Sequence, residues 1–281
     1  MQHVLRLTDR FEIGAEAARP LEPSRVLKHG DTFTVFNHCG DMIPSEGAEH
    51  GLFHDGTRYL SRCELMIGGG HPLLLSSTIS DDNLVFTADL TNADVHSDSG
   101  SVLAHGNVHV FRSRLLHDGG AVERFRVSSF ARHPIELPLA LRLDADFADI
   151  FEVRGTRRPR RGERLPDVCD AHCILRYLGL DGVERRTRIR WSRPPVRFEP
   201  GIVVFMLRLD PRETGTLELS AACEQVTESR PVPSYDHVIQ TAQEGRDALG
   251  AESSRVTAPS DRLECWIRRS TADLDMMMTA T

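Results

Sequence analysis

The sequence predicts an all-β fold, a large antiparallel β-sandwich followed by a short C-terminal helical segment. Segments in which apolar and polar residues alternate recur between turn signals about every 8–12 residues, without helical runs between them, which is typical of sandwiches. After Arg230-Pro231-Val232-Pro233 the apolar spacing changes from a period of two to a helical period. These two observations carry the prediction.

The stretch 121–145 shows the strand pattern most clearly. Alternate side chains of a strand point to opposite faces, and one face here is wholly apolar, with Ile135, Leu137, Leu139, Leu141, Leu143 and Ala145. Upstream, Phe125, Val127 and Ser129 continue the same parity. Arg132-His133-Pro134 predicts the turn of a hairpin. Because Pro138 cannot donate a ladder hydrogen bond, it predicts an edge strand or a bulge.

The same pattern predicts further strands and two long loops. The strands are expected at 4–7, 32–36, 57–67, 72–79, 84–90, 107–116, 173–178, 183–191, 202–209 and around 217–223. Residues 202–209 are almost wholly apolar, which predicts a central, doubly buried strand. The segments 37–51 and 146–168 are expected to be irregular loops.

Two helices are predicted at the C-terminal end. Ser234 is the expected N-cap of a helix over 235–249, which Gly250 ends, and Ser260 or Asp261 caps a second helix after Pro259. The second helix carries an apolar stripe of Leu263, Trp266, Ile267, Ser270, Leu274, Met277 and Met278. A stripe this broad needs a partner, which can be the sandwich, a following domain or a second copy.

Composition and charge exclude several classes of protein. With 40% hydrophobic residues the chain can form a packed core, and its net charge of -7 gives no general attraction to nucleic acid or anionic membrane. No run approaches the roughly 18 apolar residues of a membrane span, and residues 1–14 lack the order of a signal peptide. A cytoplasmic location is expected. The six dispersed cysteines are predicted to be reduced thiols.

Three stretches resemble a known family, namely 27–40 (LKHGDTFTVFNHCG), 51–60 (GLFHDGTRYL) and 139–155 (LALRLDADFADIFEVRG). They are similar to the N-terminal domain of bacterial glycogen-debranching, amylo-α-1,6-glucosidase-like proteins. The resemblance runs from about residue 21 to residue 226 and extends into the helix at 266–274. It implies a β-supersandwich similar to the galactose-mutarotase fold, placed before an (α/α)6 barrel that carries the catalytic carboxylates.

The resemblance therefore implies a non-catalytic accessory role, with a sandwich domain over 1–230 and a helical linker over 231–281. The implied partners are an α-glucan or oligosaccharide and an (α/α)6 catalytic domain, in cis or in trans. No catalytic residue can be transferred to this chain, so it is not expected to be an enzyme by itself. Two alternatives stay open. One is an independent sugar-active sandwich such as an aldose mutarotase, which needs a His and a carboxylate that converge on a concave sheet face. The other is a pure interaction scaffold.

Six residues are candidates for substrate or interdomain contacts: His54, Asp55, Arg58, Asp144, Asp146 and Asp149. They lie at strand ends and in loops, where a rigid sheet can present polar groups to a ligand. The alternative is structural. The first three would then hold the loop 37–56, and the acids, with Glu152, would anchor the loop 146–168 through nearby arginines. For the first three we favour the structural role, and a catalytic role for the acids is disfavoured.

Cofactor binding has little support in the sequence. His38, Cys39, His50 and His54 form one conceivable metal set, and Cys169, His172 and Cys173 form another, but neither has the spacing of a closed zinc site. No glycine-rich phosphate loop follows a strand. The run of arginines at 154, 157, 158, 160, 161 and 164 lacks interleaved aromatics, so it is interpreted as a solvated loop paired with the acids before it.

Overall fold

The computed structural model of the chain describes residues 5–6, 24–44, 49–96, 102–226, 233–252 and 260–277. Strands dominate these ranges, and α2 and α3 follow the last strand, which confirms the predicted fold class. The helices are α1 (Ile150–Val153), α2 (Tyr235–Glu252) and α3 (Asp261–Met277). The strands, in chain order, are β1 (Leu5–Arg6), β2 (Arg25–His29), β3 (Thr32–Phe36), β4 (Gly51–His54), β5 (Thr57–Leu60), β6 (Arg62–Ile67), β7 (Leu73–Ile79), β8 (Val85–Thr91), β9 (Val95–His96), β10 (Val102–Leu103), β11 (Val108–His117), β12 (Gly120–Ser129), β13 (Ile135–Asp144), β14 (Glu163–Cys169), β15 (Cys173–Leu178), β16 (Glu184–Trp191), β17 (Arg197–Glu199), β18 (Ile202–Leu209) and β19 (Thr214–Gln225).

Two large sheets form the walls of the sandwich. The first has eight strands in the order β14-β15-β16-β19-β12-β11-β8-β7, and the second contains β1, β6, β13, β17 and β18. A four-stranded sheet, β2-β3-β4-β5, packs beside β11, β12 and β16. One apolar core joins all three sheets, because their inward side chains form a single buried cluster that includes Phe125, Leu139 and Phe205.

Strand β13 confirms its predicted buried face but not its predicted neighbour. Ile135, Leu137, Leu139, Leu141 and Leu143 are buried, as their alternation predicts. However, β12 pairs with β11 and β19, whereas β13 pairs with β18, β6 and β1. The predicted hairpin turn at Arg132–Pro134 is therefore wrong, and this segment crosses from one sheet to the other. Alternation specifies which face is buried, but not which strand lies alongside.

The prediction that Pro138 marks an edge or a bulge is also wrong, because β13 has partners on both sides. Its pairing with β1 ends at Glu136, and its pairing with β6 begins at Leu139. The carbonyl of Pro138 accepts a hydrogen bond from Gly68 on that side, at 2.9 Å. The N–H and C=O of one strand residue point the same way, so the missing N–H faces the gap between the two partners.

Several boundaries differ from the prediction. The expected strand 57–67 is divided at Ser61 into β5 and β6, which belong to different sheets, and the expected loop 146–168 contains α1 and most of β14. Helix α2 continues past Gly250 to Glu252. The side chains of the predicted cap residues Ser234 and Ser260 each accept a hydrogen bond from the backbone amide three residues later. The residues 4, 7, 230–232 and 278, to which other predictions apply, lie outside the described ranges.

The prediction that all six cysteines are reduced is wrong for two of them. Cys169 and Cys173 face each other across the β14–β15 pair and form a disulfide. The sequence does not predict this register, because the expected irregular stretch ends at Val168 and the next expected strand begins at Cys173, whereas β14 extends to Cys169. Cys39, Cys63, Cys223 and Cys265 are not joined in disulfides.

A buried ionic quartet, Asp41, Arg112, Arg114 and Glu123, fixes the loop after β3 to the eight-stranded sheet. All four side chains are at most 4% exposed. Arg112 binds Asp41 and lies 3.2 Å from Glu123, which also binds Arg114. The two guanidinium groups donate to the Cys39 and Gly40 carbonyls at 3.0 and 2.7 Å. The motif NHCGD at 37–41 is thus held by charge pairs inside the core.

The two guanidinium groups of the quartet respond differently to their surroundings. Burial opposes the charged form of both. The pKa of Arg112 is nevertheless raised, because Glu123 and Asp41 attract its charge. The pKa of Arg114 is lowered by burial, since Glu123 offsets this only partly and Arg112 repels it. Glu123 is therefore the carboxylate on which both arginines depend.

Candidate functional site

The candidate site lies where the segment after β13 packs on the β4–β5 hairpin. Asp55 and Gly56 have φ values of 47° and 71°, as a two-residue hairpin turn of the Asp-Gly kind requires. The amide of Arg58 donates to Ala148 at 2.8 Å, and the amide of Ile150 donates to Gly56 at 2.9 Å. These two backbone hydrogen bonds hold the segment against the hairpin.

Phe147 fixes the same segment from the other side. Its ring stacks on Tyr177 with the centroids 5.4 Å apart and meets Tyr59 edge-on at 5.7 Å. Its backbone has a φ of 50°, which is uncommon for a bulky residue. Phe147 and Ala148 are buried, whereas Asp146 and Asp149, which flank them, are partly exposed.

Arg58 and Asp146 form the ion pair at the base of the site. Arg58 Nε donates to Asp146 Oδ1 at 3.0 Å, its Nη2 binds Asp146 Oδ2, and its Nη1 donates to the His50 carbonyl at 3.1 Å. Gly51 makes this possible, because a Cβ there would lie 2.5 Å from Cδ of Arg58. Both Asp146 oxygens are engaged, so this carboxylate serves to hold the site together.

Asp149 starts α1 through a reciprocal cap. Its side chain accepts hydrogen bonds from the amides of Phe151 and Glu152, and the Glu152 carboxylate accepts one from the Asp149 amide at 3.1 Å. Such a capping box satisfies N–H groups that a helix start leaves free. It also orients the Glu152 carboxylate toward the arginines that follow.

The arginines after α1 close the site. Arg158 binds Asp149, Arg161 Nε lies 3.3 Å from Glu152 Oε1, and Arg161 Nη2 donates to the Asp146 carbonyl at 2.7 Å. Together with Arg58 and Asp146 they line a cavity of about 380 Å³ that opens to solvent. Its lining is Arg58, Asp146, Ala148, Glu152, Val153, Thr156, Arg157, Arg158 and Arg161. We call this the arginine pocket.

The six candidates from the sequence are divided by the structure. Arg58 and Asp146 line the arginine pocket and Asp149 supports it. His54 is buried instead, where its Nδ1 lies 3.0 Å from the Thr32 hydroxyl. Asp55 sits in the hairpin turn beside His54, and Asp144 is exposed at 3.6 Å from Arg164. The sequence predicts that Glu152 and Arg158 take part in pairs of acids and arginines, but it does not predict that both side chains line a pocket.

The chemistry of the pocket is that of hydrogen bonding. Guanidinium N–H groups donate and carboxylate oxygens accept, which suits a ligand with several hydroxyl or phosphate oxygens. Within the described ranges, no three His, Cys, Asp or Glu side chains are grouped so that they could hold a metal ion. His50 lies behind the pocket, and burial lowers its pKa, with Ile43 and Asp41 opposing the shift.

Helices α2 and α3 form a second candidate surface on the eight-stranded sheet. Tyr235 and Val238 of α2 pack on Leu115 and Val122 of the sheet. At its other end α2 reaches the β7–β8 turn, where Arg246 binds Asp82. Burial opposes ionisation of Asp82, but the Ser80 hydroxyl, the Leu84 amide and Arg246 together lower its pKa.

Helix α3 contacts the same turn, Ser80–Asn83, through polar groups. Arg269 donates to the Ser80 carbonyl at 3.1 Å, Asn83 donates to Asp273 at 2.7 Å, and Cys265 Sγ lies 4.0 Å from Asp81. We call Leu263, Trp266, Leu274 and Met277 the α3 apolar stripe; their exposed fractions are 42%, 62%, 65% and 73%. Each residue turns an α-helix by about 100°, so the centre of this stripe lies roughly 100° around the helix axis from the residues that contact the turn, Cys265, Arg269 and Asp273. Of the described helices, none has the length and apolar character to cross a bilayer.

Comparisons with known proteins give one sequence match and several distant structural ones. A family profile described as the N-terminal domain of (some) glycogen debranching enzymes matches residues 27–220. A search of curated proteins found no match. Among solved structures, a putative kojibiose phosphorylase from human microbiome is similar with a TM-score of 0.46 and 9% identity, over 88% of this chain and 35% of its own. A putative aldose 1-epimerase from Escherichia coli K12 has a TM-score of 0.41 and 9% identity, over 73% of this chain and 99% of its own.

Proposed function

This chain belongs to the family of N-terminal domains of glycogen debranching enzymes, and from that premise we propose that it is the non-catalytic accessory domain of a debranching-type glycoside hydrolase. In this proposal residues 1–230 form the sandwich and residues 231–281 form a helical linker to an (α/α)6 catalytic domain. The accessory domain packs on the catalytic domain and contributes to α-glucan binding. The chemistry of hydrolysis belongs to the catalytic domain.

The observation that carries the proposal is the exposure of the α3 apolar stripe. Helix α3 contacts the Ser80–Asn83 turn through polar groups and lies beside β2, while the four side chains of the α3 apolar stripe are exposed. Burying one such side chain stabilises a complex by about 1.5–3 kcal/mol before ordering costs. Four of them in one stripe make this helix the natural contact for a neighbouring domain.

Trp266 provides a direct test, because Trp191 is the only other tryptophan. In a Trp191→Phe variant at low concentration, we expect red-shifted emission from Trp266 that acrylamide quenches. Adding the catalytic domain of a family member should shift the emission to the blue. The same addition to a variant that also carries Leu274→Glu should have no effect.

Two results would count against this assignment. A blue-shifted, quencher-protected signal from a monomeric chain would mean that the stripe already has its partner within the chain. A blue shift that grows with protein concentration, together with dimerisation, would assign the stripe to self-association.

The glucan contact is proposed for the arginine pocket, with Arg58, Asp146 and Asp149 holding its shape. Arg161 and Glu152 would then form hydrogen bonds with sugar hydroxyls. We expect glycogen and maltotetraose to bind without glucose release, and Arg161→Gln to weaken binding about tenfold. Arg160→Gln is the matched control, because Arg160 is exposed and outside the pocket lining. Clear glucose release by the 281-residue chain alone would overturn the accessory role.

One observation favours a second candidate, an aldose mutarotase. His109 Nε2 lies 2.9 Å from Asp89 Oδ1 on the outer face of the eight-stranded sheet, and Ser76 donates to Asp89 at 2.8 Å. The pair supports this candidate because a His and a carboxylate in contact can together transfer a proton. Polarimetry of freshly dissolved α-glucose distinguishes the candidates. Acceleration that His109→Ala abolishes would favour the mutarotase, and we expect none.

A further inference from the structure

The arginine pocket has more hydrogen-bond donors than its own contacts use. Three of the arginines that line it, Arg157, Arg158 and Arg161, follow one another within five residues of chain. Each guanidinium carries five N–H donors. Arg158 donates to Asp149, and Arg161 donates to the Asp146 carbonyl. No hydrogen bond or ion pair joins Arg157 to any residue in the described ranges.

The charge of the pocket is positive although the whole chain has a charge of -7. Four guanidinium groups line it, against the two carboxylates Asp146 and Glu152, and Asp149 supplies a third beside Arg158. Asp146 is neutralised by Arg58, and Glu152 is neutralised by Arg161. The charge left over is that of Arg157. An anion that enters the pocket therefore meets unused guanidinium donors rather than unpaired carboxylates.

We propose that the arginine pocket binds a phosphate group, with Arg157 as the principal ligand and Arg158 and Arg161 as donors from the adjacent wall. A phosphate monoester presents three acceptor oxygens, and arginine binds such groups through two parallel hydrogen bonds. The volume of about 380 Å³ admits a phosphate that carries one sugar ring. This inference rests on the proposed use of the pocket as a ligand site, and it names an anionic ligand for it.

The source of the phosphate is either a sugar phosphate or free inorganic phosphate, and both present the same group. Titration calorimetry of the 281-residue chain with inorganic phosphate, glucose 1-phosphate and glucose separates them. If the ester binds at least tenfold more tightly than inorganic phosphate, the sugar phosphate is the ligand. If the two bind equally, the ligand is free phosphate. In either case 0.5 M sodium chloride should weaken binding strongly, because the contacts are charged.

Three variants test the assignment to Arg157. Arg157→Gln should weaken phosphate binding about tenfold, and the fold should be unaffected because this side chain supports no other residue. Glu152→Gln removes a neighbouring negative charge and should tighten binding several-fold. The control Arg160→Gln should change it less than twofold.

Absence of saturable phosphate binding would overturn the proposal, and so would equal losses in Arg157→Gln and Arg160→Gln. Maltotetraose, measured in parallel, reports on the glucan contact alone. Phosphate binding that persists when maltotetraose does not bind would leave this inference intact and remove the glucan contact. The opposite pattern would remove this inference and keep the glucan contact.

Discussion

Replacing Glu123 by glutamine tests whether charge balance holds the buried quartet together. The substitution keeps the shape of the side chain but removes its charge, so Asp41, which binds Arg112, would be the one carboxylate left in the quartet. Removing one partner of a buried ion pair typically costs about 3–5 kcal/mol, because a charge is left uncompensated in the interior. A native domain is stable by about 5–15 kcal/mol, so the loss is a large part of the total.

Urea unfolding, followed by circular dichroism and tryptophan fluorescence, measures this loss. The matched control is Glu218→Gln, because Glu218 binds Arg124 in a half-exposed pair where about 0–1 kcal/mol is expected. The double variant Arg114→Met/Glu123→Gln leaves the balanced pair of Arg112 and Asp41 and should recover most of the stability. A loss of less than 1 kcal/mol in Glu123→Gln would refute the reasoning. A double variant as unstable as the single one would show that lost hydrogen bonds, and not charge, are the cause.

Three further predictions concern His50, Cys63 and Asp149. Burial lowers the pKa of His50 below its ordinary 6.5. The stability that neutral His50 contributes is therefore present above pH 6.5 and is lost as the pH falls through the lowered pKa. Urea midpoints at pH 8 and pH 5 should differ less in His50→Gln than in the natural chain. Burial, with Glu123, raises the pKa of the Cys63 thiol from 9.0 to about 12, so stability should decline as the pH rises above 9 and through this range, and iodoacetamide at pH 8 should label Cys63 only after unfolding. Asp149→Ala removes the cap of α1 at a local cost of about 1 kcal/mol, so trypsin should cut the arginine segment faster while the urea midpoint stays within error; an unchanged cutting rate would contradict the role of the cap.

The fold was predictable for those strands in which one face is buried. The alternation in 135–143 correctly gave the inward side chains of β13, and the apolar run 202–209 gave β18 with its exact bounds. The neighbours of β13 were not predictable, because pairing depends on chain crossings that leave no local signal. Pro138 was misleading for the same reason, since the gap between β1 and β6 is visible only in the assembled sheet.

The site was predictable in composition but not in geometry. Polar residues at strand ends gave Arg58, Asp146 and Asp149, and the structure brings these three together. His54 resembled them in sequence, but it is buried against Thr32, which no local pattern indicates. Arg157 and Arg58 line the same cavity because the chain reverses at the single helical turn of α1, which the capping box starts. A single sequence offers no signal for that reversal.

The attachment of α3 has a consequence for how the molecule opens. Within the described ranges, its side-chain hydrogen bonds to the sandwich go to the Ser80–Asn83 turn, each with a net worth of about 0.5–1.5 kcal/mol, and the helix also lies beside β2. None of the described α3 side chains belongs to the buried cluster that joins the sheets. We therefore expect α3 to detach as a cooperative unit at a small fraction of the free energy of global unfolding. Its amides should exchange with deuterium long before those of β11, and a partner can capture the released helix while the sandwich stays folded.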